Sequence, residues 1–309
     1  MKIGLDSTLR KRKISIEGIK LTLLALPFVI FVFVFCYLPL FGWSFAFFDY
    51  KPGLSLSQAE YVGLKYFKYI FSYNKDMIRV LKNTLAMSFM SLATSVLPVI
   101  FAILLNELRN LRFKKFIQSF VTLPHFISWV IAYSLCFAIF STNGMYNNLM
   151  QVLNITDKPN TVLSNSNYVW TFMTTLDIWK GLGWGTIIYL AAIAGIDAEL
   201  YEAAIIDGAG RFRCIWHITV PNLMETYIVL LLLSVGNLLS IGLDKYLNFK
   251  NPLNASKIEA LDLYIYRIGL MTHDYSFATA IGIAKSLVSI VLLFTVNKLA
   301  RKVRGESII

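Results

Sequence analysis

The sequence predicts an all-α, polytopic membrane protein, and three observations point to this fold class. Of the 309 residues, 57% are hydrophobic and only 15% are charged, whereas average usage is roughly 45–50% apolar and about 25% charged. The apolar residues are gathered into six stretches of about 20 residues or more, the length that a helix needs to cross a bilayer. The basic residues cluster at the ends of these stretches. The net charge of +11 therefore reflects membrane topology, and we expect no nucleic-acid partner.

The six predicted spans occupy residues 21–48, 83–105, 117–140, 168–196, 224–243 and 276–299. The first span follows a basic run at residues 11–13, as a signal peptide would. Its apolar stretch is too long for a signal peptide, and no small-x-small cleavage site follows, so we predict a retained helix. Pro27 and Pro39 are tolerated there because neighbouring helices can satisfy the freed carbonyls.

A further helix is predicted between the first two spans, within residues 61–82. Lys65 and Lys68 alternate there with apolar residues that recur at helical spacing, namely Leu64, Phe67, Ile70 and Phe71. Such a pattern suits a helix lying in the membrane interface. We expect it to contact lipid and to support the bundle.

The orientation follows from the Lys and Arg residues of the connecting segments. With the N-terminus inside, the cytosolic pieces contain 16 of these residues, against 10 in the longer outer pieces. We therefore predict six spans with both termini cytosolic. The domain organisation is a cytosolic N-terminal segment (1–20), a transmembrane domain (21–299) and a cytosolic tail (300–309).

A polar loop between the fourth and fifth spans, residues 199–222, is the most distinctive segment of the chain. It begins with good helix formers, which Gly208 and Gly210 then interrupt. A second short helix is predicted from about Arg211 to His217, and Pro221 is suited to the start of the fifth span. The loop should therefore form a helix-turn-helix on the cytosolic side.

The loop carries a spaced motif: Glu-Ala-Ala, three residues, Gly208, nine residues, and then Ile-Thr-Val-Pro. This layout resembles the EAA loop of ATP-binding-cassette (ABC) importer permeases, with Val220 where Leu is usual. The two alanines offer a small surface for close approach, and Gly208 allows backbone angles that other residues avoid. The resemblance implies that a separate ATPase docks on Glu202, Ala203, Ala204, Asp207, Gly208, Ile218 and Pro221.

Other stretches are similar to the carbohydrate-uptake branch of this family, of the type used for oligosaccharides and polysaccharide fragments. They are residues 179–184, 189–197, 264–270 and 275–280. The resemblance implies a bacterial plasma-membrane complex of two permease subunits, usually different, and two ATPase subunits. An extracellular solute-binding protein would deliver the sugar.

No cofactor is expected in this chain. A Gly-x-x-x-x-Gly-Lys-Ser/Thr phosphate loop is absent from the sequence, and residues 282–286 are too short a match and lie within a span. The resemblance implies that ATP and Mg are bound by the partner ATPase. We found no catalytic constellation and no His/Cys cluster with metal-ligand spacing, so we predict that the chain is not an enzyme.

Several side chains within the predicted spans are candidates for a substrate path: Thr174, Asp177, Lys180, Trp184, Asn237 and Lys285. Ionisable residues in spans usually face a cavity, and Asp177 and Lys180 are three residues apart, close enough to share a helix face. Charged groups beside an aromatic ring suit a sugar. The alternative is an internal Asp177–Lys180 ion pair. Asn237 and Lys285 either line the path or bond to a neighbouring helix.

Two alternatives to a sugar importer remain open at this point. A permease for peptides or amino acids would have the same loop, and the carbohydrate stretches argue against it. A secondary transporter driven by an ion gradient would explain the spans and the buried charges. The loop spacing would then be coincidental, and many such carriers contain two related halves, which this sequence lacks.

Overall fold

The computed structural model describes residues 16–72, 75–156 and 158–304. Residues 1–15 of the predicted N-terminal segment and residues 305–309 of the predicted tail lie outside the described residues. The α-helices are α1 (Ile16–Val32), α2 (Lys65–Phe71), α3 (Lys75–Thr94), α4 (Leu97–Asn106), α5 (Leu111–Thr122), α6 (Trp129–Phe140), α7 (Met145–Val152), α8 (Val169–Ala194), α9 (Ala198–Ile206), α10 (Arg211–Cys214), α11 (Val220–Gly236), α12 (Asp244–Phe249), α13 (Ala255–Ile258), α14 (Leu261–Tyr266) and α15 (Tyr275–Arg304).

The described residues are predominantly helical, as predicted, and they also form a small two-stranded sheet. Strands β1 (Phe48–Asp49) and β2 (Glu60–Tyr61) pair antiparallel, with Phe48 opposite Tyr61. Of the predicted interfacial helix within residues 61–82, only α2 (Lys65–Phe71) is separate, and it follows this sheet and packs against α15. Residues 75–82 instead form the first turns of α3.

Four helices are long and apolar enough to cross a membrane: Ile19–Phe47, Lys75–Asn106, Arg211–Gly236 and Tyr275–Lys298. Two bent pairs bring the number to six if each pair is one span, namely Leu111–Phe126 with Trp129–Val152 and Val169–Ala194 with Ala198–Ile206. Both counts, four and six, apply to the residues that the structure describes. The structure thus has four to six candidate membrane helices, which agrees with the predicted helical, polytopic membrane fold.

The region predicted as the third span is strongly bent rather than straight. Helix α5 and the 3₁₀ turn Leu123–Phe126 form one segment, which meets the segment Trp129–Val152, beginning with α6, at 102°. Pro124 lies in this turn, where it cannot donate a backbone hydrogen bond. Ser128 then starts a new helix, because its hydroxyl accepts the Ile131 N–H at 3.3 Å.

The region predicted as the fifth span, 224–243, begins and ends earlier than expected. It is helical from Arg211 to Gly236, and Asn237 caps it with a non-helical backbone. Farther on, Gly242 has a φ of +90°, which a continuing helix does not allow. Residues beyond Gly236 therefore belong to a packed segment and not to the span.

The core is built around α8, which contacts α3, α4, α5 and α11. One buried cluster joins Met87, Cys136 and Met173 to Tyr246 and Ile258 of the segment before α15. A second cluster lies near the opposite end of α8, where Ala102, Tyr189, Ile193 and Leu223 meet. Helix α8 thus connects the two ends of the bundle.

Candidate coupling surface and translocation cavity

The first half of the predicted helix-turn-helix is α9, and local hydrogen bonds define both of its ends. Asp197 accepts the Glu199 N–H at 3.0 Å and caps the start. At the other end, the Gly208 N–H donates to the Ile205 carbonyl at 3.0 Å, and the Ala209 N–H donates to the Ala204 carbonyl at 2.8 Å. This is a Schellman motif, which needs a left-handed residue at the position after the cap. Gly208 occupies it with a φ of +79°, so the motif glycine has a physical explanation.

The second half differs from the prediction of a separate short helix. Helix α10 continues through a π-helical turn (Ile215–Thr219) into α11, so Pro221 lies inside one helix and not at its start. Proline lacks the N–H donor of a regular helix, and the wider π turn directly before it accommodates that gap. A hydrogen bond of 2.9 Å between the Tyr201 and Thr219 hydroxyls joins α9 to this turn.

The loop exposes a concentrated apolar surface, which we call the coupling surface. Its large side chains are 65% to 89% exposed: Ile205, Ile206, Phe212 and Trp216. The predicted docking residues lie around it, with Ala204 and Ile218 half-buried and the remainder exposed, namely Glu202, Ala203, Asp207, Gly208 and Pro221. Several large apolar side chains exposed within one short polar loop are typical of an interaction site.

An open cavity of about 460 Å³ lies between α3, α8, α11 and the segment that follows α11. Of the six path candidates, Asp177 and Asn237 line it, and so does Lys245, which sequence reasoning did not single out. A smaller cavity of about 190 Å³ shares Asp177 with the first and extends to Pro98 and Gly181. The lining of the larger cavity consists of Met87, Ser88, Ser91, Leu92, Asp177, Leu230, Leu233, Ser234, Asn237, Leu238, Ser240, Ile241, Lys245 and Tyr246.

Asp177 pairs with Lys245 and not with Lys180, so the ion pair considered from the sequence does not form. The Lys245 Nζ donates to Asp177 Oδ2 at 2.6 Å, and the side chains are 11% and 29% exposed. Residues three apart on a helix differ by about 60° around its axis. Asp177 and Lys180 accordingly face different neighbours.

Lys180 is buried and stabilises the bend between α5 and α6. Its Nζ donates to the carbonyls of Pro124 at 3.0 Å and His125 at 3.3 Å, and also to that of Ile127. It lies 5.0 Å from the Trp129 ring centroid, a cation–π distance. The contacts of Lys180 are therefore structural.

The remaining candidates lie away from the cavity lining. Thr174 is buried and donates to the Trp170 carbonyl at 2.8 Å. Trp184 stacks parallel to the His125 ring at a centroid distance of 4.5 Å. Lys285 pairs with Asp262 in the segment before α15.

That segment, residues 237–274, is tied to the bundle by a buried carboxylate that sequence reasoning missed. Glu259 accepts hydrogen bonds from Arg79 at 3.1 Å, Lys250 at 3.1 Å and Arg267 at 2.7 Å. Burial by itself would raise the pKa of Glu259, but the hydrogen bonds and positive charges of Arg267 and Lys250 lower it below the ordinary value. Nothing in the sequence singles out Glu259, because Lys257 and Asp262 lie within three residues of it.

Among residues 16–72, 75–156 and 158–304, no group of three or more His, Cys, Asp or Glu side chains could hold a metal ion. The fold contains a cavity with polar groups between candidate membrane helices, and two of these helices, α8 and α11, lead to an exposed apolar loop. These two features define a multi-pass transport protein.

The chain belongs to the family of binding-protein-dependent transport system inner membrane components, whose model matches residues 94–305. It is 41% identical over 290 residues to Protein LplB of Bacillus subtilis (strain 168), covering 93% of this chain and 90% of LplB. It is 39% identical over 289 residues to the polygalacturonan/rhamnogalacturonan transport system permease protein YteP of the same organism, covering 93% and 89%.

A solved structure of the bacterial alginate ABC transporter, in complex with an alginate pentasaccharide-bound periplasmic protein, has a similar fold. The TM-score is 0.84 at 31% identity, with 96% of this chain and all of that chain covered. These similarities confirm the predicted family and its carbohydrate branch. They also argue against the secondary-transporter and peptide-permease alternatives.

Proposed function

We propose that this chain is a permease subunit of an ATP-driven importer in the bacterial plasma membrane, and that its cargo is an oligosaccharide delivered by an extracellular solute-binding protein. The family match supports the transport role. The sugar cargo is supported by the relatives, one of which is named for polygalacturonan and rhamnogalacturonan transport, and by the alginate importer with its periplasmic protein.

The proposed topology has six spans, with each bent pair counted as one and both termini cytosolic. The distribution of Lys and Arg supports this orientation. The coupling surface then faces the cytosol. Span 4 is the α8–α9 pair, in which α8 crosses the membrane and its bent continuation α9 carries the first half of that surface.

The coupling surface is the observation that carries the proposal, and we assign it as the dock for an ABC ATPase. ATP and Mg would be bound by that ATPase, with no cofactor in this chain. Helix α10 is continuous with α11, whose far end contributes Ser234 to the cavity, and Asn237 follows directly after it. On the other side, α9 meets α8, which carries Asp177, at 68°. Movement of the dock would therefore reach both walls of the cavity through two helices.

A second permease subunit is the other proposed partner. The first span, Ile19–Phe47, is apolar around its circumference, and its most apolar window has no buried residue. Only lipid or another membrane helix can cover such a surface favourably. A path between two permeases would place Asp177 and Asn237 beside a shared channel.

The decisive experiment is purification of the chain from its native membrane in mild detergent, followed by identification of the bound subunits. We expect a second permease and an ABC ATPase in equal amounts. The double variant Ile206→Ser/Phe212→Ser should lose the ATPase and keep the second permease. Phe71→Ser/Val152→Ser, at similarly exposed positions outside the loop, is the matched control and should keep both. Recovery of the wild-type chain alone would refute the importer assignment.

A further inference from the structure

The larger cavity holds an ion pair in its wall, and this pair sets the cavity's charge. Asp177 and Lys245 come from α8 and α12, 68 positions apart in sequence, and both line the cavity. No other charged side chain lines either of the two connected cavities formed by the described residues. The cavity wall therefore contains one positive and one negative group, with a net charge of zero.

The pair leaves hydrogen-bonding capacity for an uncharged ligand. An ammonium group has three N–H donors and a carboxylate has about four lone-pair sites, and the pair itself uses one hydrogen bond. A sugar hydroxyl can donate to Asp177 and accept from Lys245 at the same time. The neighbouring wall adds neutral polar groups, namely Ser91, Ser234, Asn237 and Ser240.

An anionic ligand meets a different situation. A sugar carboxylate can accept one of the remaining N–H donors of Lys245, but this single cation is then shared between two carboxylates. The ligand and the cavity wall together have a net charge of −1, because the described lining contains no second cation. Two carboxylates beside one cation repel each other, and a partly buried charge without a cation of its own is costly.

We propose that the Asp177–Lys245 pair determines specificity: it forms hydrogen bonds with the hydroxyls of an uncharged sugar unit and disfavours a uronate at this position. The inference rests on the proposed function, because it concerns the cargo of that same cavity. It goes beyond it by assigning the charge class of the sugar unit that the cavity takes.

The charge of the cavity can be measured without knowing the sugar. Ser91, which lines both cavities, is changed to Cys in a chain whose Cys36, Cys136 and Cys214 are replaced by Ala. Its reaction rates with an anionic (sulfonatoethyl) and a cationic (trimethylammonioethyl) methanethiosulfonate are compared with those of 2-mercaptoethanol. The ratio of the anionic to the cationic reaction rate at this cysteine should match the same ratio for 2-mercaptoethanol, the free thiol, within about threefold.

Variants then shift this ratio in opposite directions. Asp177→Asn leaves Lys245 unpaired and should favour the anionic reagent by about tenfold, whereas Lys245→Gln should favour the cationic reagent similarly. Asp262→Asn removes the carboxylate of the Asp262–Lys285 ion pair, which lies outside the lining of both cavities, and should leave the ratio unchanged. A wild-type ratio far from that of the free thiol, or no shift in Asp177→Asn, overturns the proposal.

The sugar arm uses the complete transporter with its binding protein in proteoliposomes. The probes are trigalacturonate with free carboxylates and the same trisaccharide with methyl esters, together with maltotriose and arabinotriose. The readout is the rate of ATP hydrolysis that each sugar stimulates. Uncharged probes should stimulate the wild type. Asp177→Asn should raise the stimulation by the free acid, relative to that by the methyl ester, about tenfold. Because the binding protein is common to both, its own preference cancels in this comparison.

A wild-type transporter that takes the free acid at least as well as the ester, with no change in Asp177→Asn, overturns the proposal. If no sugar stimulates ATP hydrolysis, the proposed function itself fails. The cysteine rates still report the cavity charge in that case, so the two failures are distinguishable.

Discussion

Two connecting segments of this chain, the loop from Asp197 to Gly210 and the segment at residues 237–274, have opposite relations to the rest of the molecule. The first makes mostly local hydrogen bonds and turns large apolar side chains outward. The second buries its apolar side chains, among them Tyr246, Ile258 and Leu263. It also bonds to three different helices: Thr84 of α3 accepts from the Leu261 N–H, Trp170 of α8 donates to Lys257, and Lys285 of α15 pairs with Asp262.

The difference separates a surface that awaits a partner from a segment that is part of the fold. Covering exposed apolar side chains lowers the free energy, and on this surface only another molecule can cover them. Buried polar groups must find their partners inside the chain. Substitutions in residues 237–274 should therefore change stability, whereas substitutions on the coupling surface should change assembly.

The largest effect on stability is expected from Glu259→Gln. The change leaves Arg79, Lys250 and Arg267 around a neutral side chain, and removing one partner of a buried ion cluster typically costs about 3 kcal/mol or more. Thermal unfolding of the purified protein in detergent measures the loss. Glu60→Gln makes the same chemical change at an exposed position and should have little effect. Equal behaviour of the two variants would contradict the assignment of residues 237–274 to the core.

A smaller loss is expected from Lys180→Met, which keeps the length and apolar stem of the side chain. The carbonyls of Pro124, His125 and Ile127 lose their charged donor, and unsatisfied buried groups cost about 1–3 kcal/mol. The same unfolding assay applies. Lys180→Arg restores a positive donor and should recover part of the stability. If Lys180 instead contacted the cargo, Lys180→Met would impair transport without lowering stability.

Gly208→Ala should cost about 1 kcal/mol, because a Cβ is disfavoured at a φ of +79°. A Cβ at this position would meet no atom within 4 Å, so the penalty comes from the backbone alone. Gly210→Ala is the matched control, since Gly210 has an extended backbone and open space. The retained fraction of the ATPase, measured by co-purification, should fall for Gly208→Ala and not for Gly210→Ala. Equal losses would show that the Schellman turn does not shape the dock.

The smallest effect near neutral pH concerns the titration of Glu259. Its pKa in the folded chain lies below the ordinary value of 4.5. The cluster's contribution to stability is therefore complete above about pH 4.5 and is lost as the pH falls through the lowered pKa. Unfolding measured from pH 7 down to pH 3 should show this acid-dependent loss in the wild type. The loss should be weaker in Glu259→Gln, and identical pH profiles would contradict the ion cluster.

Much of the fold and of the dock could be predicted from the sequence because the relevant physics is local or compositional. Apolar stretches of spanning length predicted the membrane helices, and Gly208 after Glu-Ala-Ala predicted a helix end that the structure shows in its hydrogen bonds. The bend at Pro124 and the continuity of α10 with α11 were missed. A proline alone does not tell whether a helix ends, bends or continues through a π turn.

The sequence by itself determined that this is a helical membrane protein with an importer-type loop. Both hydropathy and motif spacing are local properties, which can be evaluated within a few helical turns. Only the tertiary structure decided which charges meet. It placed Lys245 beside Asp177 across 68 positions and Arg79 beside Glu259 across 180. The partner of a buried charge is set by how distant helices pack, and helical periodicity carries no information about that packing.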